Sequence, residues 1–242
     1  MIRSSCFCLL AAAAPLAAQE RSQPFLISDN SFLVEEAFNQ EAGVFQNVLL
    51  VQRPSDSEWS VEFTQEWPLG GQRHQLSYTV PLEVMRRASG GGFRTTRGTV
   101  ALHYRYQLST EDGGWLATSP RLSVLIPRLP DDDRHFGIQF NLPLSKQFND
   151  VYAHANAGVT VTGVRSEEGT AAKAQVAGSL IYRALPMVHL MLETVYDETD
   201  WVISPGFRAG INAGETQWVL GVAVPGHLLV YLSYELPFKR SQ

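Results

Sequence analysis

The sequence predicts an all-β protein, namely an antiparallel transmembrane β-barrel of about 12 strands that follows a cleaved N-terminal signal peptide. Three observations predict it. The chain begins with what looks like an export signal, and no later segment is apolar for long enough to form a transmembrane helix. Apolar residues also alternate with polar ones along most of the remaining chain.

The leader has the three parts of a secretory signal. Arg3 gives it a positive start, residues 6–14 are apolar, and Ala17-Ala18 before Gln19 resembles a signal-peptidase site. The apolar run is shorter than the about 20 residues that a bilayer-spanning helix needs. We therefore expect a signal peptide over residues 1–18 and export to the periplasm of a Gram-negative bacterium.

Cysteine content and charge narrow the class of protein further. Both cysteines, Cys6 and Cys8, lie in the leader, so no disulfide can hold the exported chain together. A barrel in which every strand is hydrogen-bonded to two neighbours supplies the missing constraint. The formal net charge of −5 argues against a nucleic-acid partner. Roughly 220 residues follow the leader, enough for one large all-β domain.

Residues 59–67 show the alternation at its clearest. Trp59, Val61, Phe63 and Trp67 fall on one face of a strand, with Gln65 as the exception, and the intervening residues are polar or charged. Aromatic residues stand at both ends of the apolar stripe, where the interfacial girdles of membrane barrels lie.

Eleven further segments repeat this period of two, although the Ala- and Gly-rich segment 150–162 does not show which face is outward. In chain order the predicted strands are 44–53, 59–67, 74–83, 100–108, 121–126, 136–144, 150–162, 175–183, 188–197, 203–212, 218–224 and 228–238.

Connection lengths predict an orientation for this barrel. An even number of strands places both termini on the periplasmic side. The long connections at 85–95 and 128–134 then lie on the outer side of the membrane. The connections after Pro68, Ala184 and Ala213 are short, as periplasmic turns are.

The face opposite the apolar one carries an ionisable group in nearly every strand. Because Arg or Lys facing lipid at the midplane costs about 2–4 kcal/mol, we expect these groups to line the lumen. Two interpretations stay open: a ladder of paired charges that fills the barrel, or a polar constriction that selects what passes. The predicted lumen-lining residues are Glu62, Glu66, Glu83, His103, Arg105, Arg121, Arg183, His189, Glu193, Arg208 and Glu235.

The predicted barrel covers residues 44–238, between an N-terminal segment at 19–43 and a short tail at 239–242. Within the N-terminal segment, residues 32–40 fit a short amphipathic helix with Glu35 and Glu36 on its polar side. They fit an extended lead-in to the first strand equally well. If this segment enters the periplasmic mouth, it acts as a plug or gate that carries Glu35 and Glu36.

Two charged clusters lie in the predicted outer loops. Arg86, Arg87, Arg94 and Arg97 either bind lipopolysaccharide phosphates through their guanidinium groups or form an ordinary basic loop. The run 131–133 consists of three aspartates, but it lacks the spacing of a calcium loop, which favours a solvated turn. The six histidines show no metal-ligand spacing, and there is no Gly-x-Ser-x-Gly motif. We therefore predict no metal, no cofactor and no catalytic residue.

Short strings spread over nearly the whole exported chain resemble one family. They are DNSFLVEEAFNQE at 29–41, GVFQ at 43–46, FTQEWP at 63–68, RHQLSY at 73–78, YRYQ at 104–107, HANAG at 154–158, SPGFR at 204–208 and YLSYELPF at 231–238. Together they resemble the outer-membrane transporter family that is linked by its annotation to the meta-pathway of phenol degradation. The sequence departs from that family at GGGFR, 90–94, where a Gly-x-Gly-Asp turn is expected.

The resemblance implies a β-barrel of the bacterial outer membrane that passes small hydrophobic or aromatic compounds. We therefore expect a channel or transporter that performs no chemical step and contacts outer-membrane lipid and a small-molecule solute. Its C-terminal strand is expected to engage the barrel assembly machinery.

Three alternatives remain: a structural barrel with a self-plugged lumen, an outer-membrane phospholipase-like hydrolase, and a soluble exported β-sandwich. The hydrolase needs a Ser with its base in reach on the lipid-facing surface. Ser119, Ser123 and Ser179 are predicted to face inward.

Overall fold

A computed structural model describes residues 27, 31–55, 57–86, 93–112, 114–127, 136–164, 169–196 and 199–238. The predicted leader, the tail at 239–242 and the aspartate run at 131–133 lie outside the described residues, as do the side chains of residues 85–86 and 93–97. No helix in the described part of the chain is both long enough and apolar enough to cross a membrane.

The described fold consists of strand segments, numbered here in chain order. They are β1 (Val44–Ser55), β2 (Glu58–Pro68), β3 (His74–Arg86), β4 (Phe93–Arg97), β5 (Val100–Tyr106), β6 (Ala117–Thr118), β7 (Arg121–Ile126), β8 (Gly137–Phe148), β9 (Val151–Thr162), β10 (Ala171–Leu185), β11 (Val188–Tyr196), β12 (Trp201–Ala213), β13 (Thr216–Ala223) and β14 (Leu229–Pro237).

Antiparallel pairing closes these segments into a barrel. β1 pairs with β2 on one side and with β14 on the other, so the first and last strands complete the ring. β4 and β5 both pair with β3, and β6 and β7 both pair with β8, so each couple fills one place in the wall. The ring therefore has twelve strand positions, which confirms the predicted all-β antiparallel barrel and its strand number.

Prolines account for the two interrupted wall strands. Pro81 of β3 lacks an N–H group and faces the break between β4 and β5. The register of β3 shifts by one residue across it, from Thr79↔Ala101 with β5 to Leu82↔Arg97 with β4. Pro120 interrupts the other strand without a register shift, because both β6 and β7 keep the same register against β8.

The predicted loop at 85–95 is too long. β3 continues to Arg86, and β4 starts at Phe93, so the two segments extend the hairpin into the predicted loop. Thr95 and Thr96 are β-branched and favour a strand, a signal that the charged arginines around them obscured. Arg86, Arg94 and Arg97 thus belong to strand backbone, while Arg87 lies outside the described residues.

Burial along the strands is the reverse of that in a soluble β-protein. Gln75, Ser77, His103 and Arg105 are all buried, whereas the apolar residues between them on the same strands, such as Leu102, are exposed. The buried polar face points into the barrel and the apolar face points outward, which is the pattern of a barrel surrounded by an apolar medium.

Both chain termini of the barrel lie at one end. Val44 at the start of β1 pairs with Pro237 at the end of β14. We call this end the terminal mouth and the opposite end the far mouth. The turns after Pro68, Leu185 and Ala213 lie at the terminal mouth, and the end of β7 and the start of β8 lie at the far mouth.

Candidate functional site

All eleven residues predicted to line the lumen occupy inward-facing positions in the strand register. They lie in two groups around the ring. One group follows β2, β3, β5 and β7, and the other follows β10, β11, β12 and β14. His189, Glu193 and Arg208 are buried almost completely.

The N-terminal segment occupies the lumen between these groups. Residues 31–43, called the plug below, run inside the barrel and leave it at the terminal mouth, where Phe238 N donates to Gly43 O at 2.8 Å. Ile27 is also buried and lies next to Met187 in the turn between β10 and β11, again at the terminal mouth. Phe32 to Glu35 lie deeper in the lumen than either Ile27 or Gly43, which are both at the terminal mouth.

The plug contains no helix, so the extended alternative describes it better than the amphipathic helix. The physical reason is that its peptide groups bond to wall side chains instead of to one another. Glu193 Oε1 accepts from Leu33 N at 2.9 Å and from Val34 N at 3.1 Å. Asn156 accepts from Glu35 N and donates to Glu35 O, each at 2.8 Å.

The same mode of contact continues toward the terminal mouth. Ser145 Oγ accepts from Ala37 N at 2.7 Å. Gln107 donates to Ala37 O at 2.7 Å and accepts from Asn39 N at 2.9 Å. Gln75 accepts from Gln40 N. Together with Asn156, these amide and hydroxyl side chains satisfy the buried backbone of the plug from four wall positions.

Two glutamates of the plug meet arginines of the wall. Glu35 Oε1 lies 2.6 Å from Arg121 Nη1, and Glu35 Oε2 lies 2.8 Å from Arg105 Nη2. Glu36 Oε1 lies 3.4 Å from Arg208 Nη1 on the other side of the lumen. The plug therefore supplies the countercharges for three inward arginines on three different strands.

Burial and arginine contacts act differently on these two carboxyls. Burial raises the pKa of Glu35, but Arg121 and Arg105 outweigh it, so the pKa of Glu35 lies below its ordinary value of 4.5. Burial dominates at Glu36 and raises its pKa, although Arg208 lowers it in part. Glu35 is therefore the charged anchor of the plug, and Glu36 gains protons more readily.

One side of the lumen is apolar. Phe32 packs against Tyr231, with ring centroids 5.0 Å apart and the rings tilted by 34°, and it belongs with Leu50 to the buried apolar cluster. Gly221 makes room for this ring, because a Cβ atom there would lie 2.1 Å from Phe32 Cζ. The apolar anchor Phe32 and the charged anchor Glu35 thus fix the deepest part of the plug from two directions.

A cavity of about 240 Å³ remains between the plug and the wall. Phe32, Val48, Leu50 and Tyr231 form its apolar side. Its polar side is lined by ionisable groups of β2, β5 and β7 and by Glu35 of the plug, namely Glu35, Glu62, Glu66, His103, Arg105 and Arg121.

The uncharged polar contacts were missed in the sequence. Gln75, Gln107, Ser145 and Asn156 all hold the plug backbone, yet only ionisable residues were considered as candidates for the lumen. For Gln75, Gln107 and Ser145 the signal is available in the sequence, because each continues the inward polar alternation of its strand, whereas the segment around Asn156 does not show which face is inward.

Two Ser–His pairs bear on the hydrolase alternative. Ser145 Oγ lies 2.7 Å from His154 Nδ1, and Ser123 Oγ lies 2.8 Å from His103 Nδ1. Both serines are buried on the inward face, and Ser145 Oγ also accepts from the plug backbone. Neither pair is placed on the outward surface, where a lipid-cleaving serine would have to lie.

No group of three or more His, Cys, Asp or Glu in the described part of the chain could hold a metal ion.

Gln65, the predicted exception on the outward face of β2, pairs with Asn47 of β1, with Gln65 Nε2 at 2.6 Å from Asn47 Oδ1. Tyr78 OH donates to Gln65 Oε1 at 3.5 Å, and the Tyr78 ring lies 5.3 Å from that of Trp67.

No protein-family model matches the chain, and no curated protein does. Among solved structures, the chain is similar to mutants of the porin of Rh. blastica. A triple mutant of that porin has 7% identity and a TM-score of 0.27, over 82% of this chain and 99% of the porin chain. A fivefold mutant has 9% identity at the same coverage and TM-score. The pairing of its own strands establishes this chain as a closed twelve-stranded antiparallel barrel.

Proposed function

We propose that this protein is a passive channel of the Gram-negative outer membrane that passes small hydrophobic or aromatic solutes and performs no chemical step. The observation that carries the proposal is the lumen, which contains an irregular segment of the chain and, beside it, a cavity with one apolar and one charged side. A small solute of mixed polarity finds partners on both sides of such a path.

The outward surface supports membrane insertion. Exposed apolar side chains cover the wall strands, with Leu102 exposed to 48%, Leu192 to 48% and Leu220 to 54%. A soluble barrel would place such residues inside. Outward aromatic residues stand near both ends of the strands, as interfacial girdles do, namely Trp59, Phe136, Tyr196 and Trp201 toward the far mouth and Phe45, Trp67, Phe148, Trp218 and Phe238 toward the terminal mouth.

The proposed location brings further partners with it. Export by the leader at 1–18 would deliver the chain to the periplasm, and β14 would engage the barrel assembly machinery. Arg86, Arg87, Arg94 and Arg97 would meet lipopolysaccharide phosphates at the far mouth, because the adjoining ends of β3 and β4 lie there. Membership of the transporter family linked to phenol degradation belongs to the same proposal and rests on the sequence strings.

A structural barrel that conducts nothing is the second candidate. The observation that favours it is the number of wall strands that hold the plug, since contacts come from β3, β5, β7, β8, β9, β10, β11, β12 and β14. A segment that is bound by so many strands would rarely leave the lumen.

Planar-bilayer recording separates the two candidates. We expect the purified full chain to insert from detergent and to show small, interrupted conductance steps, because the plug occupies the lumen and has to move before the path opens. Cell fractionation should place the protein in the outer membrane, with heat-modifiable migration in gels. Stable insertion without any conductance would favour the structural barrel, and a purely soluble periplasmic protein would contradict both.

A further inference from the structure

The cavity contains a pair of arginines that needs an anion. Arg105 on β5 and Arg121 on β7 are directly opposite each other in the strand register and both face the lumen. Like charges in this position repel across the strand pair. Glu35 relieves the repulsion by placing one carboxylate oxygen against each guanidinium, at 2.8 Å and 2.6 Å.

The arginine pair has donors that Glu35 does not use. Arg105 Nε and Arg121 Nε are both buried and have no hydrogen-bond partner in the structure. The remaining donors bind Glu35, Phe38 O and Gln139 Oε1. A buried donor without a partner costs about 1–3 kcal/mol, so further oxygen acceptors would be stabilised here.

The position of the pair beside the cavity indicates which anion fits. The Glu35 side chain keeps 21% of its surface exposed and Arg121 keeps 17%, whereas Arg105 is buried at 4%, so the bridging carboxylate can be reached from the cavity on the side of Arg121. Phe32, Leu50 and Tyr231 line the apolar side of the same cavity. A volume of about 240 Å³ is below the roughly 300–1,000 Å³ of drug-sized pockets, which limits the ligand to a small one.

We propose that Arg105 and Arg121 form a binding site for small monocarboxylates with a compact apolar body, and that Glu35 is the resident carboxylate which such a solute displaces. This inference deepens the proposed channel function and rests on it. The exchange replaces one carboxylate by another, so it leaves the charge of the site unchanged. Because Glu35 belongs to the plug and is held by both arginines of the wall, its displacement weakens the attachment of the plug.

The test compares benzoate with benzamide, its neutral analogue of similar shape, in equilibrium binding to the detergent-solubilised full chain. In the native protein, Glu35 competes from within the same molecule, so benzoate should bind only in the millimolar range or more weakly. Glu35→Gln removes the competitor and should tighten benzoate binding by at least about tenfold, with little change for benzamide. Adding Arg121→Gln to that variant should abolish the gain.

Equal binding of benzoate and benzamide, or no tightening in a folded Glu35→Gln chain, would overturn the inference. If the Glu35→Gln chain does not fold, the test uses the native sequence with the single substitution Ser31→Cys and measures how fast that thiol is labelled. Benzoate and not benzamide should then accelerate labelling of that thiol, and equal rates would overturn the inference. Benzoate binding without conductance in bilayers would contradict only the channel proposal. Conductance without benzoate binding would contradict only the carboxylate site.

Discussion

At the scale of single residues, Glu35 makes the strongest polar contact between the plug and the wall. Its carboxylate separates two arginines on neighbouring strands, while Glu36 lies farther from its arginine, at 3.4 Å from Arg208. Hydrogen bonds to charged groups contribute about 1.5–3 kcal/mol each, so the loss of this carboxylate should loosen the plug measurably.

We predict that Glu35→Gln raises the rate at which a thiol at Ser31→Cys is labelled by about 10- to 100-fold, since about 1.4 kcal/mol corresponds to a factor of ten. Ser31 is 4% exposed, so its label reports exit of the plug. Glu41→Gln is the matched control, because Glu41 is exposed at the terminal mouth. Equal labelling in both variants would show that Glu35 does not anchor the plug.

The two glutamates also predict how the docked plug responds to pH. Glu36, whose pKa is raised by burial, takes up a proton when the plug docks, so docking strengthens as pH falls from neutral toward its ordinary value of 4.5. Glu35, whose pKa is lowered by its arginines, stabilises docking above that value and loses this contribution as pH falls further. His154, at 3.8 Å from Glu36, belongs to the same buried group.

Labelling of Ser31→Cys should therefore pass through a minimum as the pH is lowered. Glu36→Gln should remove the limb on the neutral side, and Glu35→Gln should remove the limb on the acid side. A monotonic profile in the native chain, unchanged by either variant, would contradict the assigned pKa directions.

The inward charges were predictable from the sequence because strand alternation alone determines which face a side chain occupies. Their partners were not predictable. Arg105, Arg121 and Arg208 pair with glutamates of the plug, and no periodicity links residues 35 and 36 to strands 70 or more residues away. Such contacts follow from the closed ring, which the sequence indicates only through its strand count.

At the scale of elements, the strands are twelve wall positions with one apolar and one polar face, and the plug is an irregular segment. Alternation predicts the strand positions, except for β4. That strand was not predicted, because its two β-branched residues stand among arginines and the sequence predicts a loop there. The plug conformation could not be predicted either, since its backbone is satisfied by Glu193, Asn156 and Gln107 and not by local hydrogen bonds.

The outward face of β13 tests whether the strands meet lipid. Leu220 is 54% exposed and lies in the middle of that strand. We predict that Leu220→Arg lowers the free energy of unfolding from lipid vesicles by about 2–4 kcal/mol, as an arginine at the bilayer midplane does. Leu220→Ala is the control. A change within about 0.5 kcal/mol, as expected for a water-exposed position, would speak against membrane insertion.

At the scale of the whole molecule, the barrel is a rigid ring whose lumen contains part of its own chain. The barrel wall is continuous, because β1 and β14 pair along most of their length. Passage therefore depends on the space inside the ring and on the position of the plug. The central claim is that solutes cross the barrel when the plug moves.

A disulfide between the plug and the wall tests this claim most directly. Ser31 Oγ and Ser179 Oγ of β10 are 3.2 Å apart, and no cysteine follows Cys8 in the sequence, so Ser31→Cys with Ser179→Cys introduces one bond that locks the plug to the wall. We predict that the oxidised protein shows no conductance in planar bilayers and that reduction restores the conductance of the native chain, while Ser31→Cys alone does not respond to reductant. Equal conductance in the oxidised and reduced states would contradict the claim that movement of the plug opens the channel.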